Sequence, residues 1–540
     1  MKKLLKVIFS RKIVIFLLLL LQIGVFGAGV FFLNEMWRYA YFFFNALSIA
    51  AVIYILNTNE NPAYKNAWIL PITVIPLFGI AAYVYTKFQP GRRKLKQSFR
   101  EQHTHGKRLL YEDRDTRLEL EDYYPEFSGL SKYLKEQGCP IYKAKTVEYF
   151  DTGETFFEKF KTDLKSAEKF ILIEFFIVDV GSVFDETFEI LKECAKRGVS
   201  VKFMYDGMGS QIILPSHFER RISAVENIEC RVFNPMRPLV STIQNNRDHR
   251  KIVVIDGEIA YTGGVNLADE YMNRKVLYGH WKDNAIRFTG EAVWSFTVAF
   301  FELWNVAPMD AKRRFEFITP DTLEFKVKIK KRFTLKKLSP IIFKTDEIVK
   351  YRKHLAGDKG FIIPYNDSPQ DNENVGESVY LEIINRADSY VFITSPYLVI
   401  DHEMYSALTF AAKRGVDIRL LLPKIPDKPY MQYIARSFYR SLINAGVRIF
   451  EYTPGFIHAK TFISDSNIAT VGSVNLDYRS LFLHYECGCV LIGSKEIKKI
   501  RADFINTLEV SQEITIQTIQ NFNPVKELIG IILKVFAPLL

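Results

Sequence analysis

Residues 249–267, "HRKIVVIDGEIAYTGGVNL", and residues 458–476, "HAKTFISDSNIATVGSVNL", are two copies of one pattern. In each, His-x-Lys precedes a four-residue run, an aspartate (Asp256, Asp465), a turn with glycine and then Val-Asn-Leu. His249 to His458 and Asn266 to Asn475 are both separations of 209 residues. Upstream of each copy stands a second shared unit. "AEKFILIEFFIVDV", "FDETFEILKECAKRGV" and "SVKFMYDG" read as strand, helix with an acid capping its start, and strand; "ADSYVFITSPYLVI", "HEMYSALTFAAKRGV" and "DIRLLLP" repeat the order. Ala195-Lys196-Arg197-Gly198-Val199 is echoed by Ala412-Lys413-Arg414-Gly415-Val416, where glycine after basic residues is a helix stop. Such a chain is constrained to fold as two lobes of one ancestral α/β unit. Apolar strands alternating with helices predict mixed, largely parallel sheets flanked by helices.

The lobes are expected over 141–310 and 356–520, since 540 residues are too many for one core. Between them, 311–355 is a basic connector, with fourteen Lys or Arg against five Asp or Glu from Lys312 to Lys353. It suits either a solvated link or a surface held against anionic lipid headgroups. The five cysteines are odd in number and scattered, which fits a reducing compartment and buried thiols better than disulfides or a metal site.

Residues 1–90 differ in composition and predict a transmembrane helical region. Ile13 to Leu33 is 21 residues without a charge, enough for a core of about 30 Å, and further apolar runs cover Tyr39–Leu56 and Ala67–Tyr85. A cleaved signal peptide is the competing reading of the first run, but apolar sequence continues beyond Gly29, which favours a retained anchor. Basic clusters bracket the region, so three full spans would place them on opposite faces. One run is therefore re-entrant or interfacial, or the amino terminus faces outward. The longer basic stretch after Tyr85 opens a basic juxtamembrane linker, 91–140, and puts the lobes in the cytoplasm of a multi-pass cell-membrane protein. At the other end 521–540 is apolar but too short to span, and reads as a packed terminal helix or one lying in the membrane interface.

On a strand, residues two apart share a face, so His249 projects with Lys251 and His458 with Lys460. A lysine beside a histidine makes a poor core and a good phosphate site, with the polar start of each strand at an exposed mouth. Asn266 and Asn475 follow turns where the chain can approach a ligand. Two ammonium groups and two amide donors suit the non-bridging oxygens of one phosphate. Of two histidines facing across it, one can attack phosphorus and the other protonate the leaving alkoxide, without a metal or other cofactor.

The paired motifs resemble the HKD signatures of the phospholipase D superfamily. The chain as a whole resembles bacterial cardiolipin synthases, through "NPAYKNAWILPITVIPLFGIAAYVY", "YDGMGS", "NNRDHRKIVVIDG", "HWKDNAIRFTGEAVWSFTVAFFELW", "TSPYLVID" and the closing "APLL", from about residue 40 onward. The resemblance implies that His249 attacks the phosphorus of phosphatidylglycerol while His458 protonates the departing glycerol. A second phosphatidylglycerol then takes the phosphatidyl group, giving cardiolipin. It implies that Lys251, Lys460, Asn266 and Asn475 bind the phosphate and that Asp256 and Asp465 hold loops. Each histidine also needs a carboxylate on its other nitrogen, and Asp283 and Glu486, downstream of the motifs, are the candidates. The near symmetry of the motifs leaves the choice of nucleophile to the resemblance. Three rivals remain at this stage: a hydrolytic phospholipase D, a metal-independent nuclease that would suit the charge of +11, and a non-catalytic membrane scaffold. No aromatic-interleaved basic stripe asks for nucleic acid.

Overall fold

A computed structural model describes residues 35–87, 90–235, 245–306 and 360–539. The expected first apolar run and the basic connector lie outside the described residues. Within them the chain forms two helix-flanked mixed sheets. The first has seven strands in the order Thr146–Phe150, Ala285–Thr289, Ile259–Gly263, Ile252–Ile255, Phe170–Phe175, Ser200–Asp206 and Ile228–Phe233. The second has nine: Tyr142–Lys143, Phe361–Asp367, Glu486–Ile492, Ile468–Gly472, Thr461–Ser464, Tyr390–Thr394, Asp417–Pro423, Arg448–Tyr452 and Ser511–Ile514.

The expectation of largely parallel sheets is corrected. In the first sheet only Phe170–Phe175 with Ser200–Asp206, and that strand with Ile228–Phe233, pair parallel; in the second only the corresponding pairs Tyr390–Thr394 with Asp417–Pro423 and Asp417–Pro423 with Arg448–Tyr452 do. The cause is local. Strand-helix-strand units must pair parallel, but each motif strand returns through a tight turn and can only form an antiparallel hairpin. Ile255 pairs with Ile259 and Ser464 with Ile468. The turns place Asp256 and Gly257, and likewise Asp465 and Ser466, at positive φ, which aspartate tolerates better than most residues.

The predicted helices form as Ser182–Lys196 and His402–Lys413. The second is capped by its own Asp401, which accepts from the Met404 amide. The acid at the start of the first does not cap it. Asp269, from beyond the motif hairpin, accepts from the Ser182 and Val183 amides instead.

The lobes interlock. Tyr142–Lys143, which precedes the first sheet in sequence, is an edge strand of the second. A shared apolar layer joins Ile252 and Val254 of one motif strand to Ile463, Ala469, Cys487 and Cys489 of the other lobe. All five cysteines are buried free thiols. Helix Val293–Val306 is apolar on nearly every side and buried accordingly.

The stretch 91–140 is not a linker. It folds into helices Pro90–Leu109, Arg114–Tyr123 and Ser128–Glu136. Phe99 packs its ring 5.1 Å from that of Tyr485, His103 meets Glu302 at 3.2 Å, and Leu120, Leu130 and Leu134 enter the core of the second lobe.

Among the described residues no helix is long and apolar enough to cross a membrane. The run Tyr39–Leu56 lies in helix Glu35–Leu56, and the run Ala67–Tyr85 is divided into Pro62–Val74 and Pro76–Lys87. The division falls at Ile75, which Pro76 pushes out of the helical region. Helix Pro524–Phe536 seats Gly530 on the carbonyl of Tyr433, where a side chain would collide. Its other face exposes Val525, Leu528, Ile531 and Ile532, and Phe42, Phe43, Ile49, Ile53 and Val74 are exposed on the amino-terminal helices.

Candidate active site

The two motifs meet because each lobe's approach to its histidine pairs with the other lobe's backbone. The His249 amide donates to the Tyr485 carbonyl at 2.9 Å, and the Tyr485 amide to the Arg247 carbonyl at 2.8 Å. Symmetrically, the His458 amide donates to the Lys282 carbonyl at 2.7 Å, next to the parallel pair His280–Lys282 and Gly455–Ile457. Tyr485 and Lys282 each immediately precede one of the candidate carboxylates, so the pairing crosses the lobes. Glu486 comes under His249, with its oxygens 2.9 and 3.0 Å from Nδ1, and Asp283 comes under His458, 2.7 Å from Nδ1.

These contacts fix the tautomers. Each carboxylate accepts the Nδ1 proton and leaves Nε2 as the free lone pair. The Lys460 ammonium also stands 2.9 Å from His458 Nδ1, but that nitrogen cannot both donate to Asp283 and accept from Lys460. The shorter, charge-assisted bond to Asp283 prevails, and the lysine donates to the His458 carbonyl. Lys251 donates likewise to the His249 carbonyl at 2.6 Å.

The histidines are not at an exposed mouth, as their polar neighbours in sequence suggest, but are 5% and 7% exposed. The crossed pairing encloses them. Burial, reinforced by the neighbouring lysines, holds the His249 imidazole well below its ordinary pKa, and burial with Lys460 brings His458 to about 4 despite Asp283. Burial also lowers Lys251 to about 8 and Lys460 to about 7. For Asp283, burial alone would raise the pKa, but His458 and Lys460 outweigh it and hold the acid low. Near neutral pH the site thus presents neutral imidazoles, a largely charged Lys251 and a Lys460 that titrates there, and an arriving anion favours the charged form of both lysines.

The motif aspartates lie away from this centre. Asp256 accepts from the amides of Glu168, Lys169 and Phe170, and Asp465 from those of Asp388, Ser389 and Tyr390, tying each hairpin turn to the strand beside it. Gly264 has no side chain because Asp283 fills that space. Ser473, its counterpart, donates to Glu486.

The two asparagines differ. Asn266 is engaged within its lobe, accepting from the Ile177 amide at 3.0 Å and donating to the Tyr271 hydroxyl at 2.8 Å, so it positions a loop as well as facing the turn. Asn475 Oδ1, buried, has no hydrogen-bond partner.

Sequence reasoning missed the groups that hold the approach to His249. Arg250 donates to Glu174 at 2.7 Å and to the Ala299 carbonyl, and the Asp248 amide donates to Asp206. It also missed His484. The signal was the shared spacing of "HWKD" and "LHYE" ahead of the two carboxylates. His249, His484 and Glu486 have metal-ligand atoms within 4.8 Å of one another. Lys251 and Lys460 bear on the same space, however, and two ammonium groups there favour an anion over a cation.

A duplicated lobe with crossed His–carboxylate pairs defines a phospholipase D-type chain. The family described as "Cardiolipin synthase, PLD-like domain" matches residues 160–285 and 380–508, and "Phospholipase_D-nuclease N-terminal" matches 46–85. A cardiolipin synthase of Geobacillus is 30% identical over 88% of this chain and 88% of its own. An uncharacterised protein of Streptococcus mutans is 39% identical over 91% of this chain and all of its own. The crystal structure of a Haemophilus influenzae phosphatidylserine synthase, 14% identical, shares the fold with a TM-score of 0.53 over 76% of this chain and 98% of that one. The chain belongs to the cardiolipin synthase-like family of the phospholipase D superfamily.

Proposed function

We propose that the protein is a cardiolipin synthase that transfers a phosphatidyl group from one phosphatidylglycerol to another. The observation that carries this reading is the crossed pairing of His249 with Glu486 and of His458 with Asp283, beside Lys251 and Lys460. His249 Nε2 attacks phosphorus; a P–N bond forms, the P–O bond to glycerol breaks, and His458 gives the departing glycerol its proton. The phosphate's charge raises the His458 pKa enough for it to carry that proton. The terminal hydroxyl of a second phosphatidylglycerol then gives its proton to His458 and attacks phosphorus. A P–O bond forms, the P–N bond breaks and cardiolipin leaves. One phosphodiester replaces another, so no nucleotide or metal enters the balance.

Lys251, Lys460 and Asn475 hold the phosphate oxygens; Asn266 and the motif aspartates keep the loops in place. Enclosure of both histidines supports transfer over hydrolysis, because a buried phosphatidyl-histidine is shielded from water. The exposed apolar faces of Pro524–Phe536 and of the amino-terminal helices support a seat on the cell membrane; the basic stretch after Tyr85 supports the cytoplasmic side, among anionic lipids. The test is incubation with phosphatidylglycerol vesicles alone. Equal amounts of cardiolipin and glycerol, lost in His249→Ala and His458→Ala, are expected. Phosphatidic acid without cardiolipin would make the protein a hydrolase.

A further inference from the structure

One break in the pseudo-symmetry of the site lies just ahead of the two carboxylates. Two residues before Asp283 stands Trp281, its ring 5.6 Å from that of His458; two residues before Glu486 stands His484, its ring 5.5 Å from that of His249. Trp281 is provided for. It packs against Tyr271 and Phe456, and its only polar atom reaches towards Asp283 at 3.5 Å. His484 is not. It is 9% exposed, and neither ring nitrogen has a hydrogen-bond partner. Its nearest acid, Glu486 Oε1, is 3.7 Å from Nδ1, beyond hydrogen-bond reach, and the Glu486 oxygens already serve His249 and Ser473.

A buried imidazole with two idle nitrogens destabilises a fold, and a phenyl ring would pack beside Phe176 and His249 without that cost. A partner that arrives with the substrate accounts for this. The phosphate bound at His249 is that partner by position.

We propose that His484 is a substrate-binding residue whose ring N–H donates to a non-bridging oxygen of the phosphate held at His249. Burial keeps the His484 pKa at about 4 in spite of Glu486, so the group is a neutral donor and adds no third positive charge beside the two lysines. The assignment rests on the reading that a phosphate occupies this site, and is independent of which lipids are exchanged.

The test uses the full chain and tungstate, a phosphate-shaped dianion, with affinity measured by calorimetry and melting temperature by scanning calorimetry, for wild type, His484→Phe and His484→Asn. His484→Phe is expected to melt higher than wild type while binding tungstate about tenfold more weakly, the worth of one hydrogen bond to a charged group. His484→Asn, which keeps an N–H donor, should regain part of the affinity, and with phosphatidylglycerol the loss in His484→Phe should fall on KM more than on kcat. Unchanged tungstate affinity in His484→Phe would overturn the proposal, as would affinity and melting temperature falling together in both variants, which would mark a packing role. If wild type binds tungstate through His484 yet makes no cardiolipin, the site assignment stands and the proposed reaction falls.

Discussion

Replacing Glu486 by glutamine tests the crossed geometry at one atom. The carboxylate is fully buried and faces Nδ1 of His249 with both oxygens. Glutamine keeps the shape, and its amide can still accept from Nδ1 and meet the Ser473 hydroxyl, so the fold should survive. What disappears is a negative charge beside an imidazole that becomes positive as it binds phosphorus. At about 4 Å and an effective dielectric of about 20 that interaction amounts to roughly 4 kcal/mol, of which a neutral amide returns part. At about 1.4 kcal/mol per decade, kcat should fall about a hundred- to a thousand-fold with KM nearly unchanged. Initial rates of glycerol release from phosphatidylglycerol vesicles measure this. Because Glu486 acts through His249, the double variant His249→Ala/Glu486→Gln should be no slower than His249→Ala. A loss smaller than about threefold, or one expressed in KM alone, would refute the reasoning.

Asp256→Ala removes the acceptor of three amides and should cost about 2–4 kcal/mol of stability by chemical denaturation, while kcat per folded molecule stays within about threefold; Asp256→Asn, which keeps an acceptor and tolerates positive φ, should cost less. Lysines lowered to about 7 and 8 lose their charge as pH rises, so kcat/KM should decline above about pH 7, and a profile flat to pH 10 would contradict the phosphate-binding role. Stability moves the other way. With folded pKa values below the ordinary 10.5, the folded state holds fewer protons than the unfolded between about pH 7 and 10.5, so these groups favour folding increasingly over that window. Leu528→Asp with Ile532→Asp should weaken binding to anionic vesicles at least about tenfold in flotation without changing the melting temperature, because both side chains are exposed.

The local units were legible in the sequence because their signals are local. The helix expected over 402–416 forms as His402–Lys413, and the expected strands over 252–255, 417–423 and 461–464 have those bounds. Pairing was less so. Strand-helix-strand signals suggest parallel sheets, but the turns at Asp256 and Asp465 impose hairpins, and with the strands that flank them antiparallel pairings outnumber the four parallel ones. Asp283 and Glu486 are legible as carboxylates downstream of each motif, yet nothing local says that each faces the histidine of the other lobe. That follows from backbone pairing between Tyr485 and His249 and between Lys282 and His458, far apart in the chain. The same enclosure buries histidines that their polar neighbours had suggested were exposed. The basic sequence of 91–108 reads as a linker, although Phe99 within it is a core residue. His484 carried no motif of its own; only alignment of "LHYE" with "HWKD" singles it out.

The central claim is that one composite site carries the phosphatidyl group on His249. The most direct measurement is mass spectrometry of rapidly quenched enzyme, with peptides mapped after incubation with a phosphatidyl donor whose leaving group needs no protonation. The account predicts a phosphatidyl adduct on the peptide containing His249, present in His458→Ala, absent in His249→Ala, and discharged as cardiolipin when phosphatidylglycerol is added to wild type. Turnover without an adduct, or an adduct on His458 in its place, would contradict it.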